Sequence, residues 1–119
     1  MTTKSKKKVT TLIGELMTYF HSVGSTNMEI QLKENSEEYE IHFFSNFKKE
    51  STTRVGRLEK FLHYGRAPEI EESYWGLTGV GDLQDENELI LIGAMVDSAN
   101  ILITENTATI TLIRKKDPN

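Results

Sequence analysis

"LIGELMTYFHSVGSTNMEIQL", residues 12–32, changes its period midway, and that change decides the fold. Up to Val23 the apolar side chains recur at spacings of three and four: Val9, Leu12, Ile13, Leu16, Met17, Phe20 and Val23. Such spacings place them on one face of a helix of about four turns. Glu15 and Tyr19 stand beside that stripe, one turn apart. Gly24 occupies the position of a left-handed C-terminal cap. Beyond it, Met28, Ile30 and Leu32 alternate with Asn27, Glu29 and Gln31, the pattern of a half-buried strand. A polar turn, "ENSEE", leads into a second alternating run. There Tyr39, Ile41 and Phe43 share one face, and Glu40, His42 and Phe44 share the other.

Toward the C-terminus the same logic applies. "ANILIT" and "TATITLIR" are β-rich runs separated by Glu105 and Asn106, which predicts a tight hairpin with Asn106 tolerating positive φ. Ahead of them "LILIGAMV" is apolar almost all round, so period alone does not separate a buried helix from a buried strand. Asp85 and Glu88 form a start resembling a capping box, and Gly93 and Ala94 permit close approach, which together favour a helix. The middle of the chain is less regular. Ser51 or Thr52 is a candidate N-cap for a helix with Val55, Leu58, Phe61 and Leu62 on its apolar face, ending at Gly65. Pro68, with Glu69, Glu71 and Glu72 nearby, suits the first turn of a further short helix, which the glycines at 76, 79 and 81 break.

Four strands and amphipathic or apolar helices predict a two-layer α+β sandwich: a sheet of four strands or slightly more, with helices on one face. No linker-like segment or internal repeat divides the 119 residues, so one domain is expected. Its expected limits are 9–114, between a basic tail at 1–8 and a polar tail at 115–119, with a variable lid-like region at 48–84.

Composition narrows the chemistry. An apolar fraction of 37% and a charged fraction of 27% describe a soluble globular chain. With no cysteine, thiolate metal sites, disulfides and thiol nucleophiles are excluded. A net charge of −4 argues against a general nucleic-acid binder. The basic start, Lys4 and Lys6 to Lys8, precedes apolar residues interrupted by Thr, Gly and Glu. It therefore lacks the continuous core of a signal peptide or membrane span, and a cytoplasmic location is expected. His21, His42 and His63 have no ligand partner at local spacing, so no metal is expected. The acids Glu34, Glu37, Glu38 and Glu40 bracket a turn without the alternate spacing and glycine bend that calcium needs. Ser45 and Ser51 lie in no nucleophile-elbow context.

The order of elements, together with "GELMTYFHSVGSTNMEIQL", "EIHFFSNF" and "LILIGAMVDSANILITENTATITLIRKK", resembles the histidine-kinase-like (GHKL) ATPase superfamily, in particular its bacterial anti-sigma-factor serine kinases. The resemblance implies that superfamily's ATPase-domain topology. It also assigns nucleotide-site positions. Glu15 matches the acid of the first-helix E-x-x-x-N motif, whereas Tyr19 stands at its magnesium-holding asparagine. A phenol does not replace a carboxamide as a compact oxygen donor. The adenine-binding acid aligns with Ser45, and the glycine two residues on aligns with Phe47, whose ring would sit where backbone approaches the purine. The glycine-rich phosphate turn is replaced by "DENELI", whose acids repel phosphate.

All three motifs being lost, the resemblance implies a relative without a nucleotide site: no cofactor, no catalysis, and action through protein contacts, as a homodimer or with a signalling partner. The alternatives are a serine kinase with altered motifs, using Glu15 as base, and a small-molecule sensor in the remodelled pocket. "GLTGVGD" at 76–82 has the glycines of a displaced phosphate loop, but Asp82 and Asp85 crowd it and it follows a helix-like stretch, so a plain loop is favoured. Tyr64, Arg66, Tyr74 and Trp75 fall in the region that replaces the lid. Aromatics beside arginine suit a partner surface, but packing of a helix or lid onto the sheet is the favoured reading of the two.

Overall fold

A computed structural model describes residues 3–62 and 92–116 of the chain. Helix α1, Thr3–Ser22, begins six residues before the start that its apolar spacing predicts, so 3–8 are helix rather than tail. Lys8 is buried in that early part. The helix ends as expected. Gly24 adopts φ +85°, the Ser25 amide donates to the Phe20 carbonyl (3.0 Å) and the Gly24 amide to that of His21 (3.1 Å). These are the two bonds of a Schellman cap, which a left-handed glycine makes possible.

Strands β1, Met28–Glu34, and β2, Glu38–Asn46, pair antiparallel across the expected polar turn. Asn35 builds that turn by accepting the amides of Glu37 (2.8 Å) and Glu38 (2.9 Å) on its side-chain oxygen. A single 3₁₀ turn, Lys49–Ser51, precedes α2, Thr52–Leu62. The Thr52 hydroxyl donates to the Lys49 carbonyl (2.6 Å), back into that turn. Residues 92–94 are helical and buried, which agrees with the helix reading of "LILIGAMV" at those three positions; 89–91 lie outside the described residues, and the helix stops before Met95. β3, Ser98–Thr104, and β4, Thr107–Lys115, close the chain as a two-residue hairpin.

The hairpin differs from expectation in one respect. Glu105, not Asn106, takes positive φ (52°). Asn106 is engaged elsewhere: its carbonyl accepts the Phe47 amide (2.9 Å) and its side-chain amide donates to the Phe47 carbonyl (3.3 Å). The expected tail at 115–119 is also shortened. Lys115 belongs to β4, and Lys116 donates its amide to Glu37 (2.8 Å) and pairs with Glu34 (2.9 Å).

The sheet is antiparallel throughout, in the order β1-β2-β4-β3. Register sorts its side chains cleanly, because paired residues share a face. Ser45, Phe43, Ile41 and Tyr39 of β2 and Ala108, Ile110, Leu112 and Arg114 of β4 form the buried central rows. Val9, Leu12, Leu16, Tyr19, Phe20 and Val23 of α1 and Val55, Leu58 and Leu62 of α2 belong to the same core. Helices on one face of a four-stranded antiparallel sheet make a two-layer α+β sandwich, as the sequence predicts.

Arg114 is the polar exception inside. Its guanidinium is buried and donates to the Met95 carbonyl (2.8 Å), so its charge satisfies a backbone carbonyl just after the 92–94 helical segment.

Candidate functional site

Two places compete for attention: the space beneath α1, where Glu15, Tyr19, Ser45 and Phe47 were expected to converge, and the outer edge of β1.

Beneath α1 the expected shoulder is turned inward. Tyr19 is fully buried, not a rim residue beside the stripe. Its hydroxyl donates to the Arg54 carbonyl on α2 (3.1 Å), and the Arg54 guanidinium lies 5.8 Å from the centre of its ring. That geometry supplies the polar partner a buried phenol needs and a cation–π contact on the ring face. Arg54 also donates to the Ser22 hydroxyl (3.1 Å), so one arginine staples the end of α1 to α2. Tyr19 meets Phe20 edge-on at 5.3 Å, and Phe20 meets Phe43 at the same distance. Glu15 lies one turn before Tyr19 and is partly exposed.

Ser45 is buried as well. Its hydroxyl donates to the Asn46 carbonyl (2.8 Å) and stands 2.7 Å from the Ser25 hydroxyl. The hub of this network is Asn46, a residue that sequence reasoning missed. Its side-chain oxygen accepts the amides of Thr26 (2.8 Å) and Asn27 (3.0 Å), while its amide donates to Thr26 Oγ1 (2.9 Å). Asn46 thereby fixes the connection from α1 into β1. The available signal was an asparagine ending a strand beside a Ser-Thr-Asn turn. Phe47 is buried in the common core and held by the reciprocal pair to Asn106. Tyr19, Ser45 and Phe47 are thus occupied by the chain's own packing and hydrogen bonds.

The expected partner residues Tyr64, Arg66, Tyr74 and Trp75 lie outside the described residues, as do His63, the glycines at 76–82 and the acidic start at 85–90. Among the described residues no three His, Asp or Glu side chains come together as a metal set. His42 lies on the sheet face away from the helices, 3.4 Å from Glu40. Nearby, Glu29, Gln31, His42, Phe44 and Thr109 line an open depression of about 550 Å³, on the opposite side of the sheet from Tyr19. No helix among the described residues is long and apolar enough to cross a membrane.

The β1 edge shows the opposite of the α1 interior. Met28, Ile30 and Leu32 register with Ser45, Phe43 and Ile41, so all three project on the helix side of the sheet. Alternation alone predicts a half-buried row. Instead Ile30 is 39% and Leu32 47% exposed, and only Met28 is partly covered. The reason is lateral placement. Tyr19 ties one flank of α1 to α2, and α2 packs over β3 at the far side of the sheet. At 100° per residue Ile13 and Met17 lie on the other flank of α1, toward β1. Met17 is 36% exposed, so the helix layer stops short of the strand.

Backbone bonding shows which groups the edge offers. The Asn46 amide donates to Asn27 (3.2 Å) and the Asn35 amide to Glu38 (3.0 Å), both in the β1–β2 register. Hydrogen-bonded pairs alternate along an antiparallel ladder. Asn27, Glu29, Gln31, Lys33 and Asn35 therefore turn their backbone groups toward β2. Met28, Ile30, Leu32 and Glu34 turn theirs outward, and among the described residues no further strand pairs with β1.

No family model, curated protein or solved structure matches this chain.

Proposed function

We propose that this chain is a non-catalytic protein-interaction domain of a bacterial cytoplasmic regulatory system, built on a histidine-kinase-like ATPase fold that has lost its nucleotide site. What supports this is one contrast. The side chains at the expected nucleotide positions, Tyr19, Ser45 and Phe47, are consumed by packing, whereas Ile30 and Leu32 in the apolar row of the β1 edge are left exposed.

Each half has a physical consequence. A pocket filled by a buried tyrosine and phenylalanine has no room for a purine, and opening it would forfeit the packing of both rings. An edge strand with outward backbone groups and exposed Ile and Leu is a template for a strand from another chain. Main-chain hydrogen bonds then give affinity, and alternate side chains give specificity.

Calorimetric titration of the protein with ATP and magnesium, repeated with ADP, tests the loss of the site. The expected result is no heat of binding up to millimolar nucleotide. Micromolar binding overturns the proposal in favour of an altered serine kinase, to be pursued with Glu15→Ala.

A further inference from the structure

Resting on the interaction reading above, the geometry points to a second copy of this chain as the partner at the β1 edge, the two β1 strands pairing antiparallel about a two-fold axis through Gln31. The strand itself carries the case. β1 reads Met28-Glu29-Ile30-Gln31-Leu32-Lys33-Glu34, seven residues with Gln31 at the centre. Full-length pairing with a copy of itself sets Ile30 against Leu32, Glu29 against Lys33, Met28 against Glu34, and Gln31 against itself.

Three independent requirements are met in this one register. First, the outward backbone groups belong to the even-numbered residues, and full overlap pairs even with even. Ile30–Leu32 and Met28–Glu34, with their symmetry mates, become the hydrogen-bonded pairs. Second, Ile30 and Leu32 lie on the helix side in both copies, so their exposed side chains meet across the seam and cover each other. Third, Glu29 meets Lys33 twice, on the opposite face and at non-hydrogen-bonded positions, where cross-strand side chains approach most closely. Shifting the register by two residues keeps the backbone parity but loses both charge pairs. The product is an isologous dimer with one continuous eight-stranded sheet, a form that closes on itself by using up both β1 edges.

A charge-swap experiment tests this with residues that touch no core. Sedimentation of the full chain, across low to high micromolar concentration, is expected to show a monomer–dimer equilibrium. Glu29→Lys and Lys33→Glu each create two like-charge pairs and should weaken self-association roughly ten- to hundredfold. Mixed together, the two variants face each other with complementary charges at both positions, so the mixture is expected to recover dimer that neither forms alone. Circular dichroism of each variant, matching the parent, establishes that the fold is kept.

A parent chain that stays monomeric throughout overturns self-pairing. So does a dimer indifferent to both swaps, or a mixture that fails to recover. Silence toward ATP with a monomeric parent removes the self-pairing alone, whereas a monomer that takes up ATP removes the interaction reading with it.

Discussion

β1 and β3 are the two edges of one four-stranded sheet, similar in length and both rich in β-branched or apolar residues, yet they meet different surroundings. On β3 the helix-side row is Ala99, Ile101 and Ile103, partly buried against the core with α2 packed above. On β1 the equivalent row ends in Ile30 and Leu32, both exposed, because α1 sits toward the centre of the sheet. The difference teaches that a strand's alternation tells which face is apolar but not what lies over it. Coverage is decided by how the helices are anchored to each other, here through Tyr19 and Arg54.

That anchor is where the contrast is broken most severely. Tyr19→Ala removes a fully buried ring and its bond to the Arg54 carbonyl, and should cost about 3–5 kcal/mol in urea unfolding. Tyr19→Phe keeps the ring and loses only the hydroxyl, for about 1 kcal/mol. Equal losses from the two variants would mean that the hydroxyl, and not the ring, holds α1 in place.

Between the edges themselves, Ile101→Ala on β3 is expected to destabilise the chain by about 2 kcal/mol, since the side chain is already partly buried. Ile30→Ala on β1, measured at a dilution where the chain is monomeric, should cost less than about 1 kcal/mol. Similar costs at both sites would erase the distinction between a covered and an uncovered edge.

Asn46→Ala should follow at about 1–2 kcal/mol, because it frees the Thr26 and Asn27 amides where water reaches them. Its signature is regional: amide exchange should accelerate at Gln31 and Lys33 more than in β3. Smallest is Glu34→Gln, which removes the exposed pair with Lys116 and should change stability by less than about 0.5 kcal/mol in thermal unfolding.

Much of this architecture was legible in the residues. The switch from a period of 3.6 to 2, the glycine at 24 and the two hairpins follow from local stereochemistry, which acts within a few residues. What escaped is long-range. Tyr19 looked like the shoulder of a stripe because helical angle alone does not reveal that α2 closes over it. Asn106 looked like the positive-φ residue of its turn, but its side chain is required by Phe47, 59 positions away in the sequence, and Glu105 takes the turn instead. Asn46 escaped for the same reason: the amides it holds belong to a connection some twenty residues earlier. The candidate site followed suit. Its interior half was expected from residue types that could not hold nucleotide, whereas the uncovered edge became visible only through register and burial.

The most direct test of the central claim is amide hydrogen exchange of β1, read residue by residue by NMR at low and high protein concentration. The account predicts that Gln31 and Lys33, bonded to β2, are protected at both concentrations. Ile30 and Leu32, facing outward, should exchange quickly when dilute and become protected when concentrated. Ile30 and Leu32 amides equally protected at every dilution, or equally unprotected at every concentration, would contradict an open edge that a second copy fills.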